Sequence, residues 1–286
     1  MNPIIKYRGG KSKEIPYFVK NMPNKYARYI EPFFGGGALY FYLQPRKAII
    51  NDINTKLYCF YKELQENSTL ARAQLMELQG IYEKNQQKYE ALKNANYNKR
   101  IENANEALYY HLRDAFNGKK SLHYLESVLY YFINKTAYSG MIRYNLSGEY
   151  NVPFGRYKHF NTKLITDEHY KLLQSAEIYN EDYAQIFKMA NERDFVFLDP
   201  PYDCIFSDYG NKDYKNGFGE AEHRRLASDF KNISSQTMLV IGKTPLTMEL
   251  YRKYIIEEYD KNYSVNIKNR FKSAAKHLII TNYRKD

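Results

Sequence analysis

Short apolar runs alternate with helix-length segments at both ends of the chain, and a long polar stretch separates them. Residues 27–31 read as a strand running straight into Pro32-Phe33-Phe34-Gly35-Gly36-Gly37. Residues 38–44 read as a helix that Pro45 stops. Ala48-Ile49-Ile50 is a second buried strand, ending in Asn51-Asp52-Ile53-Asn54. That unit is expected to be parallel with a right-handed crossover. Upstream, the residues after Lys11 are expected to be helical to about Asn21. The alternation resumes with a strand at 177–179, a helix at 182–189, and a buried strand at 195–198 leading into Asp199-Pro200-Pro201-Tyr202. A helix at 220–231, a strand at 237–241 and a helix at 246–254 follow. Two closing strands, 259–267 and 277–282, are joined by a basic loop, 268–276.

Between these halves the character changes. From about residue 55 to 125 the chain is polar, with Leu64, Leu70, Leu75 and Leu78 at helical spacing, and reads as several helices forming a separate lobe. Residues 141–144 and 149–152 look like short strands joined through Leu146-Ser147-Gly148, a hairpin. The fold class is therefore α/β, one sheet domain made of 1–56 and 160–286. The segment 57–159 interrupts it as a helical insertion bearing the hairpin.

Composition narrows the function. Two cysteines, Cys59 and Cys204, and six scattered histidines argue against a disulfide framework, structural zinc and a histidine-based triad. Mean hydropathy is −0.70 and no apolar run approaches a membrane span, so no membrane partner is expected. The start lacks the long apolar stretch of a secretory signal, and a soluble, cytoplasmic protein is expected. The net charge of +11 suits a polyanion, although a merely basic surface accounts for it equally well. The 31 Tyr and 16 Phe, interleaved with Lys, Arg and Asn, lean toward a surface that stacks bases and contacts phosphates.

Two loops carry candidate chemistry. Glu31-Pro-Phe-Phe-Gly-Gly-Gly at the carboxyl end of a strand is either a tight turn or a place where a ligand meets the backbone. Asp52, ending the next strand, is placed to accept hydrogen bonds from ribose hydroxyls. In Asp199-Pro200-Pro201-Tyr202 the paired prolines fix an extended turn. It is either a rigid solvated loop or a device presenting the Asp199 carboxylate and the Pro200 carbonyl as paired acceptors. Such acceptors can take both hydrogens of an exocyclic amino group and free its lone pair, while Tyr202 stacks on the base.

In order, Lys6-Tyr7-Arg8-Gly9-Gly10-Lys11, the glycine loop, Asn51-Asp-Ile-Asn and Asp199-Pro-Pro-Tyr resemble the DNA adenine (N6) methyltransferases of the Dam type, class alpha of the D12 family. Asn134-Lys-Thr-Ala-Tyr-Ser-Gly-Met-Ile-Arg-Tyr-Asn and Tyr150-Asn-Val-Pro-Phe-Gly-Arg-Tyr-Lys158 are similar to that family's recognition hairpin, and His277-Leu-Ile-Ile-Thr-Asn-Tyr283 to its closing strand. The resemblance implies a seven-stranded, mostly parallel, Rossmann-like sheet with a reversed final strand, and S-adenosyl-L-methionine as cofactor. Carried over, it places Tyr7, Lys11, Glu31, Phe33, Gly35, Gly37, Asp52, Asp182, Tyr183 and Asp199 around the cofactor. Asp199, Pro200, Pro201 and Tyr202 become catalytic, and 57–159 becomes the target-recognition domain. Lys6, Tyr138, Ser139, Met141, Arg143, Pro153 and Arg156 become contacts to double-stranded DNA, with Arg143 reading a guanine. Ser139 stands where many relatives have Asn, and Arg8 where a small residue is usual. The matches at Lys6, Met141, Arg143 and Pro153 lean toward GATC.

The expected activity is site-specific DNA methylation at adenine N6 without a metal, by a monomer or weak dimer on DNA. Whether it serves a restriction–modification pair is left open. Cytosine N4 methylation shares the acceptor logic but usually has Ser where Asp199 stands, and a non-catalytic DNA-binding scaffold is the other alternative. Neither cysteine follows a proline, which excludes C5 chemistry. The basic run Lys268-Asn-Arg-Phe-Lys272, with Lys276, is either a solvated loop or a phosphate clamp.

Overall fold

The computed structural model describes residues 1–7, 9–95, 100–140, 142–145, 147–201, 218–261 and 275–284. Tyr202, Met141, Arg8, Leu146, the segment 203–217, and residues 262–274 with Lys272 lie outside them.

A short helix α1 (Ile15–Phe18) and a 3-10 turn (Val19–Asn21) precede β1 (Tyr29–Glu31), α2 (Ala38–Leu43) and β2 (Ala48–Asn51). α1 starts at Ile15 rather than directly after Lys11, and Pro16 sits in its first turn, where a missing N–H costs no helix bond. Then come α3 (Thr55–Glu66), α4 (Ser68–Ala95), α5 (Ala104–Phe116), α6 (Glu126–Thr136) and α7 (Asp167–Gln174). The chain closes with β3 (Ala176–Tyr179), α8 (Tyr183–Met189), β4 (Phe195–Leu198), α9 (Glu220–Asn232), β5 (Gln236–Gly242), α10 (Pro245–Tyr251), β6 (Ile255–Lys261) and β7 (Ala275–Thr281).

Among the described residues seven strands form one sheet in the order β3-β2-β1-β4-β5-β7-β6. The pairs β1/β2, β1/β4, β2/β3 and β4/β5 are parallel, and β7 runs antiparallel to both neighbours. The mostly parallel sheet with a reversed last strand is as expected. Its parallel strands are legible because both faces are covered, giving continuous apolar runs such as Phe195-Val196-Phe197-Leu198. Alternate residues serve two cores. Tyr29, Ile50, Phe197 and Val240 pack on one face with α2 to α7, whereas Ile30, Ile49, Val196 and Ile241 pack on the other against α8 to α10. The helices α3 to α6 share the first core: Leu57, Tyr61, Leu78, Tyr109 and Phe132 are all buried in it. No helix among the described residues is long and apolar enough to cross a membrane.

Across the expected hairpin, Asn145 N donates to the Glu149 carbonyl at 2.8 Å and Asn151 N to the Arg143 carbonyl at 3.3 Å. Among the described residues its arms carry only isolated antiparallel bridges, Tyr144 with Tyr150 and Ala137 with Phe154. The second arm also takes partners from α5 and its C-cap, Asn117. Asn117 accepts from the Tyr150 N–H at 2.8 Å and donates to its carbonyl at 3.0 Å, while the Tyr109 hydroxyl donates to the Val152 carbonyl at 2.7 Å. Side chains here add to the main-chain bonds between the arms.

Candidate active site

After β1 the next strand adds on one side of it, whereas β4 adds on the other, so the chain order reverses between β1 and β4. Loops leaving the carboxyl ends of two such strands diverge and open a crevice. The loop after β1, Asp52 after β2, Tyr183 after β3, and Asp199 with Pro200 and Pro201 after β4 all line one pocket there. Tyr7, Lys11, Glu31, Phe33, Gly35 and Gly37 line it too. Asp182 is absent from that lining: its carboxylate caps α8 through Ala184 N at 3.0 Å and takes Arg225 Nη2 on both oxygens at 2.6 Å.

Asp52 organises the glycine loop. Its Oδ2 accepts from Gly35 N and its Oδ1 from Asn54 N, both at 2.8 Å. Gly35 has φ +50° and lies under the Tyr7 ring, which a Cβ would meet at 2.9 Å. Gly37, at φ +63°, would meet the Phe34 ring at 2.4 Å. A side chain at either position would be strained by backbone and neighbour alike, hence the glycines. Asn51 ties the strand ends together, donating to the Pro32 carbonyl at 2.9 Å and the Glu181 carbonyl at 3.0 Å. At one end of the pocket Phe33 packs 5.3 Å from the Tyr183 ring and edge-on to Phe218. The Tyr183 hydroxyl donates to Asp229 at 2.8 Å, and Arg225 lies 4.5 Å over its ring. Phe33 and Tyr183 thus pack on each other at this end, with Asp229 and Arg225 behind Tyr183.

The other end is ionic. Lys11, 1% exposed, pairs its ammonium with Asp199 Oδ1. Burial raises the Asp199 carboxyl above its ordinary range, opposed by the charge and hydrogen bond of Lys11. Glu31 is buried with its Oε2 accepting from the Tyr29 hydroxyl at 2.8 Å. Burial lifts its carboxyl well above the usual range, and the charges of Asp199 and Asp52 lift it further. Hydrogen bonds from Tyr29 and the Tyr40 main chain pull the other way.

Beside the pocket, Asn134 on α6 accepts from Lys6 N at 3.0 Å and donates to the Lys6 carbonyl at 2.8 Å. The Lys6 side chain runs alongside Gly140, and Tyr138 N donates to the Pro153 carbonyl at 2.9 Å. Lys6, Tyr138, Ser139 and Pro153 therefore meet next to Tyr7. Tyr138 is 57% exposed, and Ser139 adopts φ +57°. Asn occupies that left-handed region more readily than Ser. Arg143 is exposed, its Nε bonded to Asn151 Oδ1 at 3.2 Å, and Arg156 lies 3.9 Å from Glu106. The residues that sequence reasoning missed are Asn51, Glu14, Arg225, Asp229, Tyr259, Lys261 and His277. Of these, only Asn51, as the neighbour of Asp52, and His277, in the closing-strand match, had a local signal.

Over residues 7–265 the chain matches the D12 class of N6 adenine-specific DNA methyltransferases. It belongs to that family. The chain is 34% identical over 291 residues to the Type II methyltransferase M.CviBI of Paramecium bursaria Chlorella virus NC1A, spanning 99% of this chain and 100% of that one. It is 30% identical over 300 residues to the Type II methyltransferase M1.LlaDCHI of Lactococcus lactis subsp. cremoris, spanning 99% and 96%. Against the DNA adenine methylase of Haemophilus influenzae it is 26% identical over 281 residues, spanning 94% and 90%. This D12 enzyme is thus an adenine-specific DNA methyltransferase, which decides against cytosine N4 methylation and against a non-catalytic scaffold.

Proposed function

We propose that the enzyme transfers a methyl group from S-adenosyl-L-methionine to N6 of an adenine drawn out of double-stranded DNA, within GATC. The observation that carries this reading is the Lys11 ammonium on Asp199. A cationic N–H donor held there marks the acceptor position that an amino group would take. The pocket fits the cofactor on its own geometry: Gly35 and Gly37 keep the loop free of side chains, Asp52 supplies an acceptor, the Phe33 and Tyr183 rings offer aromatic surface to a planar base, and the Glu31 carboxyl lines the pocket for a cation. When bound, S-adenosyl-L-methionine supplies an electrophilic sulfonium methyl. Asp199 and the Pro200 carbonyl then accept the two amino hydrogens and aim the nitrogen lone pair, work that is positioning rather than covalent catalysis. Tyr202 stacks on the base, an assignment resting on the sequence alone.

In the segment 57–159 the target-recognition role falls to Lys6's neighbours Tyr138, Ser139 and Pro153, together with Met141, Arg143 and Arg156. GATC is favoured by the resemblance of Lys6, Met141, Arg143 and Pro153 to the family's base-reading positions. Incubating the enzyme with unmethylated DNA and labelled cofactor, then sequencing with modified-base detection, tests both halves. N6-methyladenine confined to GATC is expected. Methylation at another sequence removes the GATC assignment, and no transfer from S-adenosyl-L-methionine removes the reaction.

A further inference from the structure

Three residues beyond Lys11, Glu14 turns its carboxylate into the same buried region. The two side chains leave one turn, since Glu14 N and Ile15 N both donate to the Lys11 carbonyl, at 2.7 and 3.0 Å. Glu14 Oε1 lies 2.7 Å from Lys261 Nζ, and its Oε2 accepts from the Tyr259 hydroxyl at 2.7 Å and lies 2.7 Å from His277 Nδ1. Tyr259 and Lys261 come from β6 and His277 from β7, so the final strand pair is tied to the loop behind the acceptor. Burial pushes the Glu14 carboxyl up, but His277, Lys11, Lys261 and Tyr259 together draw it down to about 2. Glu14 is therefore ionised at neutral pH, while burial holds His277 below its ordinary value.

When an amino group occupies Asp199, the Lys11 ammonium is displaced inside a site from which it cannot cheaply go unpaired. A carboxylate offers about four acceptor directions; Tyr259 and Lys261 take two of those on Glu14, and His277 Nδ1 lies close to a third. Glu14 is close enough to feel the Lys11 charge already. We infer that Glu14 is the second station of the Lys11 ammonium: as adenine binds Asp199, Lys11 passes to Glu14, which thereby controls entry of the base. This rests on Asp199 being the acceptor. Glu14 is a positioning residue, acting through Lys11.

The test uses the full chain, a duplex containing the target adenine, and saturating S-adenosyl-L-methionine. Glu14→Gln should lower the single-turnover methyl-transfer rate about tenfold or more, with cofactor and DNA dissociation constants within about twofold. Glu14→Asp, which keeps the charge, should recover the rate to within about threefold of wild type. In a Lys11→Met background Glu14→Gln should change the rate by less than about twofold, because the group it serves is gone. A Glu14→Gln enzyme at the wild-type rate overturns the inference, as do losses that multiply in the double variant. Should a variant fail to fold or Lys11→Met fall below detection, the wild-type chain crystallised with the duplex and S-adenosyl-L-homocysteine decides. Lys11 Nζ at the Glu14 carboxylate supports the inference, and Lys11 on a phosphate or in solvent ends it. A wild-type chain that methylates no DNA would remove the acceptor reading itself, a result separate from either.

Discussion

Asp199 keeps 20% of its side chain open to the pocket, whereas Lys11 keeps 2%, so the acceptor is accessible and its cation is not. An incoming amino group can therefore compete for Asp199 from the open side. Asp199→Ala removes the oriented acceptor and should lower kcat at least ~100-fold, since misplacement of reacting groups costs about that much. Cofactor affinity should stay measurable by calorimetry, and near-normal turnover would remove Asp199 from the reaction. Glu31 makes a second prediction. The sulfonium must lie in line with an amino group at Asp199, and Glu31 is near enough for Asp199 to raise its pKa. Burial favours the protonated carboxyl in the free enzyme, and a cation bound beside it favours the ionised form. Cofactor binding should then release a proton, and affinity should rise with pH by up to about tenfold per unit, levelling once free Glu31 has ionised. Calorimetry from about pH 6 to about pH 9 in two buffers of different ionisation enthalpy checks this. A pH-independent dissociation constant with no proton release would place the cation away from Glu31.

At the scale of elements, the recognition arm depends on α5. Asn117 satisfies both main-chain groups of Tyr150. Asn117→Ala leaves them without these partners, at a cost of about 1–3 kcal/mol. The melting temperature should fall by roughly 2–6 °C, and kcat/KM for DNA should fall while cofactor affinity is unchanged. Weakened cofactor binding would show instead that α5 supports the pocket directly. The same contacts explain what the sequence could convey. Buried parallel strands announce themselves as apolar runs, and β4 was readable to the residue. The arms at 141–144 and 149–152 read as a hairpin, but the further partners that the second arm finds at the end of α5 lie outside the reach of a local pattern. Gly35, Gly37, Asp52 and Asp199 were legible because each sits just after a strand. Glu14 and Tyr259, 245 residues apart, were not, because only the antiparallel closing pair brings them together.

For the molecule as a whole, a net charge of +11 gives DNA affinity a large component blind to sequence, released as counterions and weakened by salt. Specificity must come from a few side chains that read base edges. Arg143 is the residue proposed for that work: Asn151 steadies its Nε, and its Nη groups take no partner among the described residues. A planar guanidinium fork matches the O6 and N7 acceptors of guanine, and alanine leaves nothing in its place. Arg143→Ala should therefore relax discrimination at one guanine by about 1–3 kcal/mol while changing other positions little. Lys272, in the basic run beyond the described residues, is the contrasting case. As a phosphate contact, Lys272→Ala should weaken all sequences alike and reduce the slope of log K against log salt by about 1. Methylation and binding measured on duplexes differing at single positions, at two salt concentrations, separate the two roles. If Arg143→Ala slowed every duplex by one factor and flattened the salt dependence, Arg143 would be a backbone contact. The base-reading role would then have to pass to Lys6, Tyr138 or Pro153, which meet beside Tyr7.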